Sequence, residues 1–348
     1  MSDLAPISSK TGCVCILPHL TGLGGPVSFQ CRLVAGLQER RISVVQNPSD
    51  PACRAVLVIG GTRQVIPLWQ ARRRGVRIVQ RLNGMNWIHR KRQTGLRHYL
   101  RSEMNNRLLA LIRRYLADGI VYQSNFARTW WQTVHGSSPA PARVIYNGID
   151  LQVFNPTGEG EPPSDHVRLL LVEGHLRGGY EQGLDSAVNL TRFLSQSGEL
   201  VVKLRVVGDV PLSMQQRFSA VAGDQVEWAG IVPQASIPQI DRSAHLLFSA
   251  DLNAACPNSV VEAMACGLPV VGFATGSLPE LVEGDSGRIV PYGSNYWNLE
   301  PPDIAGLAGA VKEVLAGGAV FHQAARRRAE TAFNIDQMVE QYIQVLLG

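Results

Sequence analysis

A lone carboxylate among small polar residues, at the point where a strand passes into a helix, can hold a vicinal diol. The stretch CPNSVVEAMACGLPVV, Cys256 to Val271, has that arrangement, with Glu262 as its only acid. Asn258 or Ser259 can cap the helix that follows. Ser259-Val-Val-Glu262 has capping-box spacing, in which hydroxyl and carboxylate each accept a backbone N–H of the first turn. Gly267 suits the left-handed position that ends a helix, and Pro269 prevents continuation. Downstream, PVVGF reads as a strand and ATGSLPELV as a second small-residue loop entering a helix. Two such adjacent units form a pocket for an anion at helix N-termini, and a carboxylate there can accept two hydrogen bonds from a diol such as ribose. Local rules leave both roles open for Glu262, cap and ligand.

A second anion-binding candidate is PHLTGLGGPVSFQ, Pro18 to Gln30. Gly22, Gly24 and Gly25 permit close backbone approach, and a helix opens at Pro26 with free N–H groups in its first turn. The spacing is neither GxGxxG nor a Walker sequence, so an ordinary strand-to-helix turn explains it equally well.

The elements that must position these residues alternate along the chain. CVCIL, ISVVQ, AVLVIG and RIVQRLN read as strands, with helices over PVSFQCRLVAGLQERR and near IPLWQARRRG. TGEGEPPSDH, 157–166, has linker composition. Beyond it the alternation restarts with VRLLLVEG, VKLRVVGD, VEWAG and HLLFSA as strands, and the C-terminal stretch is helical. Strands spaced by helices imply parallel, doubly wound sheets, whose ligands sit at strand carboxyl ends. The expectation is an α/β protein of two such domains facing across a cleft. The first spans 1–160 and the second 161–332, with the helix 333–348 crossing back onto the first.

Charge divides in the same place. Residues 1–160 hold 21 Lys+Arg against 7 Asp+Glu, whereas 161–348 hold 12 against 21, which argues for two units with different partners. A content of 45% hydrophobic and 18% charged residues fits an ordinary globular chain and excludes disorder. No window reaches the roughly 18 apolar residues of a membrane helix, and the N-terminus lacks the pattern of a secretory signal, so a cytoplasmic location is expected. The six cysteines show no CxxC pair or Cys/His ligand spacing; buried reduced thiols are expected, with no metal site.

PNSVVEAMACGLPVVGFATGSLPELV resembles the nucleotide-sugar-binding signature of retaining glycosyltransferases of family 4, which have the GT-B fold. TGLGGPVSFQCRLVAGLQERR, RVIYNGIDLQVFNP, LRVVGD and VEWAGIVP match other family segments in order, so the resemblance covers nearly the whole chain. It implies a nucleoside-diphosphate sugar as donor substrate, no cofactor and no metal, and a glycan or lipid-linked acceptor. It also implies Glu262 on the ribose, the helix N-terminal amides of Asn258, Ser259 and Val260 on the diphosphate, and Gly24 and Gly25 closing over it. Backbone near Gly174, Gly230 and Ile231 completes the implied donor site.

Three departures bear on catalysis. The family has a second glutamate eight positions before Glu262, and here that position is Ala254; Asp251 is nearby on the sequence. The Arg and Lys after the first strand of the second domain are replaced by VEGHLRGGYEQG, leaving Arg177 as the substitute cation and His175 near the usual Arg position. Asn83-Gly84 replaces a His-Gly pair, so His89 or His19 would have to approach the cleft instead, His89 being the catalytic candidate. Two functions therefore stand: an active transferase, or a weakened nucleotide-sugar-binding subunit of a partner transferase.

From Ala71 to Arg114 there are 13 Lys+Arg and one acid, Glu103, interleaved with Trp87, Ile88 and Tyr99. A solvated basic face is the plain explanation. A surface for anionic membrane or a phosphate-bearing lipid is the functional one, at about 1 kcal/mol per near-surface cation. The charge has no nucleic-acid-binding signature beside it, so nucleic acid is not expected as a partner, and a peripheral position at the inner membrane face is.

Overall fold

A computed structural model describes residues 12–348 apart from 23, 93–94, 177–180, 197 and 199. Two six-stranded sheets, every paired register parallel, follow one another along the chain. The first contains β1 (Cys13–Leu17), β2 (Ser43–Val45), β3 (Cys53–Ile59), β4 (Arg77–Leu82), β5 (Gly119–Tyr122) and β6 (Ala142–Val144), in the order β2-β1-β3-β4-β5-β6. Its helices are α1 (Gly25–Glu39), α2 (Val65–Arg73), α3 (Leu96–Leu111) and α4 (Asn125–His135). The second contains β7 (Val167–His175), β8 (Val202–Asp209), β9 (Val226–Gly230), β10 (Leu246–Phe248), β11 (Val270–Phe273) and β12 (Gly287–Val290), in the order β12-β11-β10-β7-β8-β9. Around it lie α5 (Glu181–Gln196), α6 (Leu212–Ala222), α7 (Ile237–Arg242), α8 (Asn258–Ala265), α9 (Leu278–Leu281), α10 (Ile304–Gly317) and α11 (Ala319–Ala332).

Both sheets are continuous apolar runs because helices cover both faces; Leu169, Leu170 and Leu171 of β7 are wholly buried, as are Val56, Leu57 and Val58 of β3. Each sheet reverses direction once, between β1 and β3 in the first and between β7 and β10 in the second. Residues leaving those four strands therefore meet at two crevices, where doubly wound sheets bind ligands.

The last helix, α12 (Ile335–Leu347), is capped by Asn334, whose side chain accepts the N–H of Asp336, and it lies on the first sheet. Tyr342 meets Phe29 of α1 with ring centroids 5.2 Å apart. The helices approach closely at Gly36, where an added Cβ would fall 2.5 Å from Val339 Cγ2. Gly36→Val should therefore cost about 1–3 kcal/mol by overpacking. Gly309 of α10 has open space around it, and Gly309→Ala should instead gain about 0.5–1 kcal/mol. Urea midpoints moving in opposite directions would bear this out; a neutral Gly36→Val would show that α12 is not tightly seated.

No single helix among the described residues is long and apolar enough to cross a membrane. The basic tract is less of a surface than its composition implies. Arg81 and Arg113 are buried, the latter donating to Tyr122 Oη at 2.9 Å, and Arg72 and Arg90 pair with Asp118 and Glu103. The thiols of Cys13, Cys15, Cys53, Cys256 and Cys266 are buried and free, but Cys31 of α1 is exposed, contrary to expectation.

Candidate functional site

A concavity of about 470 Å³ lies between the two sheets. The Gly24–Gly25 turn, Asn83 to Trp87, Glu173 and Gly174, Ile231, Asp251, Asn253 to Ser259 and Glu262 line it. Gly24, at φ +119°, accepts the N–H groups of Val27 and Ser28, so α1 opens toward the cleft. Across the gap a Cβ at Gly174 would stand 3.9 Å from Gly24 Cα, and Asn258 Nδ2 donates to the Gly25 carbonyl at 3.5 Å. The first turns of α1 and α8 thus converge. In α1 the Val27 and Ser28 amides already serve the Gly24 carbonyl and Pro26 has none, so the α8 amides of Asn258, Ser259 and Val260 are the ones placed for an anion.

Glu262 does not close a capping box. Pro257 is the N-cap of α8, with no side-chain cap, and Asn258 and Ser259 are already helical. The Glu262 carboxylate instead accepts from Arg32 Nη2 of α1 at 2.5 Å. An ion pair reaching in from the other sheet outcompetes the local bond, as expected of a 93%-buried acid. Burial pushes its carboxyl above the ordinary range, opposed by the Arg32 charge. A second buried guanidinium, Arg81 of β4, sits 3.6 Å over the Phe29 ring and donates to Asn147 Oδ1 at 2.7 Å. Asn147 in turn donates to Asn258 Oδ1 at 2.8 Å and to the Cys256 carbonyl, so Arg81 anchors the start of α8.

Of the expected site residues, the structure brings Gly24, Gly25, Gly174, Ile231, Asn258, Ser259 and Glu262 to one cavity. Val260 points into the core, leaving only its amide for a ligand. Gly230 ends β9 at φ +67°, one residue before the lining Ile231. Arg177 lies outside the described residues. His175 pairs with Asp209 at 3.2 Å, and His19 contacts Gln46. Among the described lining residues there is no Lys or Arg.

His89 is a correction. Its side chain is 1% exposed, away from the cavity lining, with Nε2 2.8 Å from Glu103 Oε1. Arg90 shares that carboxylate at 2.6 Å, and hydrogen bonds from Arg90 and then His89 hold Glu103 down to about 2. His89 therefore fastens α3 to the loop before it. A carboxyl with a lowered folded pKa stabilises above its unfolded value of 4.5, and that stability is lost as pH falls toward about 2. Glu103→Gln should flatten the acid limb of a stability–pH profile and cost about 1–2 kcal/mol at pH 7 for this partly solvated pair. An unchanged acid limb would remove the assignment.

Several contacts fix the sheets relative to each other. Arg92 pairs with Glu181 at the start of α5 at 2.9 Å, Lys91 Nζ donates to Asn298, and Trp297 contacts both Trp87 and Trp130 at 5.2 and 5.1 Å. Glu280 of α9 accepts the N–H groups of Asn125 and Phe126, the first turn of α4. Among the described residues no group of three His, Cys, Asp or Glu side chains is placed to hold a metal ion.

Two family models match the chain: Glycosyltransferase Family 4 over 24–153 and Glycosyl transferases group 1 over 168–316. The chain belongs to glycosyltransferase family 4. The amylovoran biosynthesis glycosyltransferase AmsK of Erwinia amylovora is 30% identical over 225 residues, 59% of this chain and 53% of that protein. The 2-deoxystreptamine N-acetyl-D-glucosaminyltransferase of Streptomyces fradiae is 28% identical over 171 residues, 48% of this chain and 37% of that one. This family 4 chain thus spans about half the length of the first relative and less of the second. Among solved structures, sucrose-phosphate synthase from Thermosynechococcus elongatus superimposes with a TM-score of 0.73 at 16% identity, covering 97% of this chain and 98% of that one. HepE of Anabaena, solved with UDP-glucose, gives 0.70 at 17% identity, with 96% and 100% covered. The family 4 chain therefore has the GT-B fold.

Proposed function

We propose that this chain is a retaining, metal-independent glycosyltransferase that moves a sugar from a nucleoside-diphosphate sugar to a glycan or lipid-linked acceptor. The observation that carries this is the convergence of the Gly24–Gly25 turn and the α8 N-terminus, joined through Asn258, with Glu262 beside them. Amides of the α8 first turn, with the Gly24–Gly25 backbone close by, offset charge gathering on the leaving diphosphate, with Arg177 as the side-chain cation. Glu262 holds the ribose, and Gly174, Gly230 and Ile231 approach donor and base by backbone. The names of the matched relatives, which describe glycosyl transfer in amylovoran synthesis and to 2-deoxystreptamine, support sugar transfer and polysaccharide synthesis. The division into 1–160 and 161–332, with 333–348 returning, fits α12 lying against α1.

A thermal-shift screen of nucleoside diphosphates and their sugars tests the proposal. At 100-fold excess over Kd a bound nucleotide adds about 2.7 kcal/mol and raises Tm. Silence across all bases would overturn it, whereas binding without release of diphosphate would favour a nucleotide-sugar-binding subunit.

We further propose a cytoplasmic location at the inner membrane face. Leu96, Leu100 and Met104 lie exposed along one side of α3, at 74, 52 and 69%, beside the exposed Arg97, Arg101 and Arg107. Such a face suits anionic lipid. Leu100→Glu with Met104→Glu should lower co-flotation with phosphatidylglycerol vesicles at least five-fold; equal flotation would sink it.

A further inference from the structure

The family position eight residues before Glu262 carries no functional group, because it is Ala254. The backbone there is pinned. Ser277 N donates to the Ala254 carbonyl at 2.9 Å, and a Cβ at Gly276 would fall 2.8 Å from both Ala254 N and O. The loop has no room to shift a neighbouring acid into place of Ala254, so any sugar-facing group comes from the surrounding wall.

That wall is built at the second sheet's reversal point. β7 and β10 are neighbours, paired at Leu169–Leu246 and Leu170–Leu247. Glu173 near the end of β7 and Asp251 just past β10 therefore come to the same cavity, although 78 positions separate them in sequence. Asn253 lines it as well; it is 6% exposed, and neither its Nδ2 nor its Oδ1 has a hydrogen-bond partner. A buried amide with both ends unsatisfied is unusual in a folded protein and marks a place where a ligand supplies the partners.

We propose that Glu173, Asp251 and Asn253 form the wall that reads the hydroxyls of the transferred sugar, and that they restrict the donor to uncharged glycosyl groups, against uronic acids. The inference rests on the nucleotide-sugar donor proposed above. Desolvation in the cleft, then the charge of Asp251, pushes the Glu173 carboxyl up to about 8. Asp251 is itself raised by desolvation, with the Asn253 N–H at 3.2 Å acting the other way. A protonated Glu173 in the same cavity as the Asp251 oxygens offers both a donor and acceptors to neutral hydroxyls. A sugar carboxylate would add a further negative charge to a wall that, among the described lining residues, holds no Lys or Arg.

The test compares Glu173→Gln, Asp251→Asn and wild type by calorimetric titration with UDP, GDP, ADP and dTDP, with their glucose or mannose conjugates, and with UDP-glucuronate. The diphosphate that binds wild type should bind both variants within about two-fold. The extra affinity conferred by the neutral sugar should fall at least ten-fold, and preference over the glucuronate conjugate should shrink similarly. Melting temperatures without ligand, expected to be unchanged or raised, exclude misfolding as the cause. Variants that keep the full sugar-dependent affinity and discrimination would overturn the wall. So would a wild type in which the sugar adds nothing to diphosphate binding, although the nucleotide site would then stand. Failure of every diphosphate to bind wild type would instead remove the donor proposal, and the wall with it.

Discussion

Replacing Glu262 by Ala is expected to abolish detectable turnover or raise the donor KM by about 10² or more. Two charge-assisted hydrogen bonds to a ribose diol contribute at least roughly 1.5 kcal/mol each, and their loss amounts to about two decades of affinity. The same change has a second consequence that must be separated from the first. Arg32, with its side chain 12% exposed, would be left with a buried, unpaired guanidinium. Breaking one partner of a buried pair costs about 3–5 kcal/mol. Glu262→Ala should therefore lower Tm without ligand as well as remove the nucleotide-induced rise. The double variant Arg32→Met, Glu262→Gln resolves the two. Removing both charges should restore most of the ligand-free stability, because a buried ion pair is often no better than an apolar replacement. If Glu262 serves only to neutralise Arg32, donor affinity returns with stability. If it is the ribose ligand, stability returns and affinity does not. Wild-type donor kinetics in Glu262→Ala would end the ribose assignment outright.

The contrast between what the sequence displays and what it hides follows from range. The strands were legible because parallel strands covered on both faces are unbroken apolar runs, as in VRLLLVEG and AVLVIG. The exit of α8 was legible because Gly267, at φ +74°, and Pro269 are local chain-stoppers. The entry of α8 was not. Ser259 and Glu262 have the right spacing for a cap, but Arg32 lies 230 positions away and competes for the carboxylate. Its trace in the sequence is an arginine one turn after Phe29 and beside Leu33, on the stripe of α1 that is otherwise buried. Arg81 was similarly concealed in a tract that composition alone presents as a basic surface. Its setting in RIVQRL, a strand interior, was the signal that it turns inward. Asp251 could be found by proximity in sequence, but Glu173 could not, because only the insertion of β10 beside β7 brings the two together.

Glu280→Ala should loosen the cleft itself. Its Oε2 accepts from Asn125 N at 2.8 Å, Asn125 Nδ2 at 3.0 Å and Tyr146 Oη at 3.0 Å, and its Oε1 from Phe126 N at 2.8 Å. Ser124 Oγ accepts the next amide, Ala127 N, so a carboxylate from the second sheet's helix α9 completes the cap of α4 on the first. The acid also lies at the positive end of the α4 dipole. Removing it strands two helix amides and a half-buried phenol, a loss of about 2–4 kcal/mol from cap and charged hydrogen bonds together. Since these bonds join the two halves, the cost should appear as separation as well as instability. The radius of gyration in solution should rise, amide exchange at Asn125 and Phe126 should accelerate, and donor affinity should fall, because the Gly24–Gly25 turn would no longer be held against α8. Lys91→Ala, which removes only the exposed bond to Asn298, should change stability by less than about 1 kcal/mol and leave the radius unchanged. A Glu280→Ala protein matching wild type in radius and donor affinity would mean that the aromatic contacts of Trp297 with Trp87 and Trp130 suffice to hold the cleft. Trp297→Ala would then be the substitution that opens it.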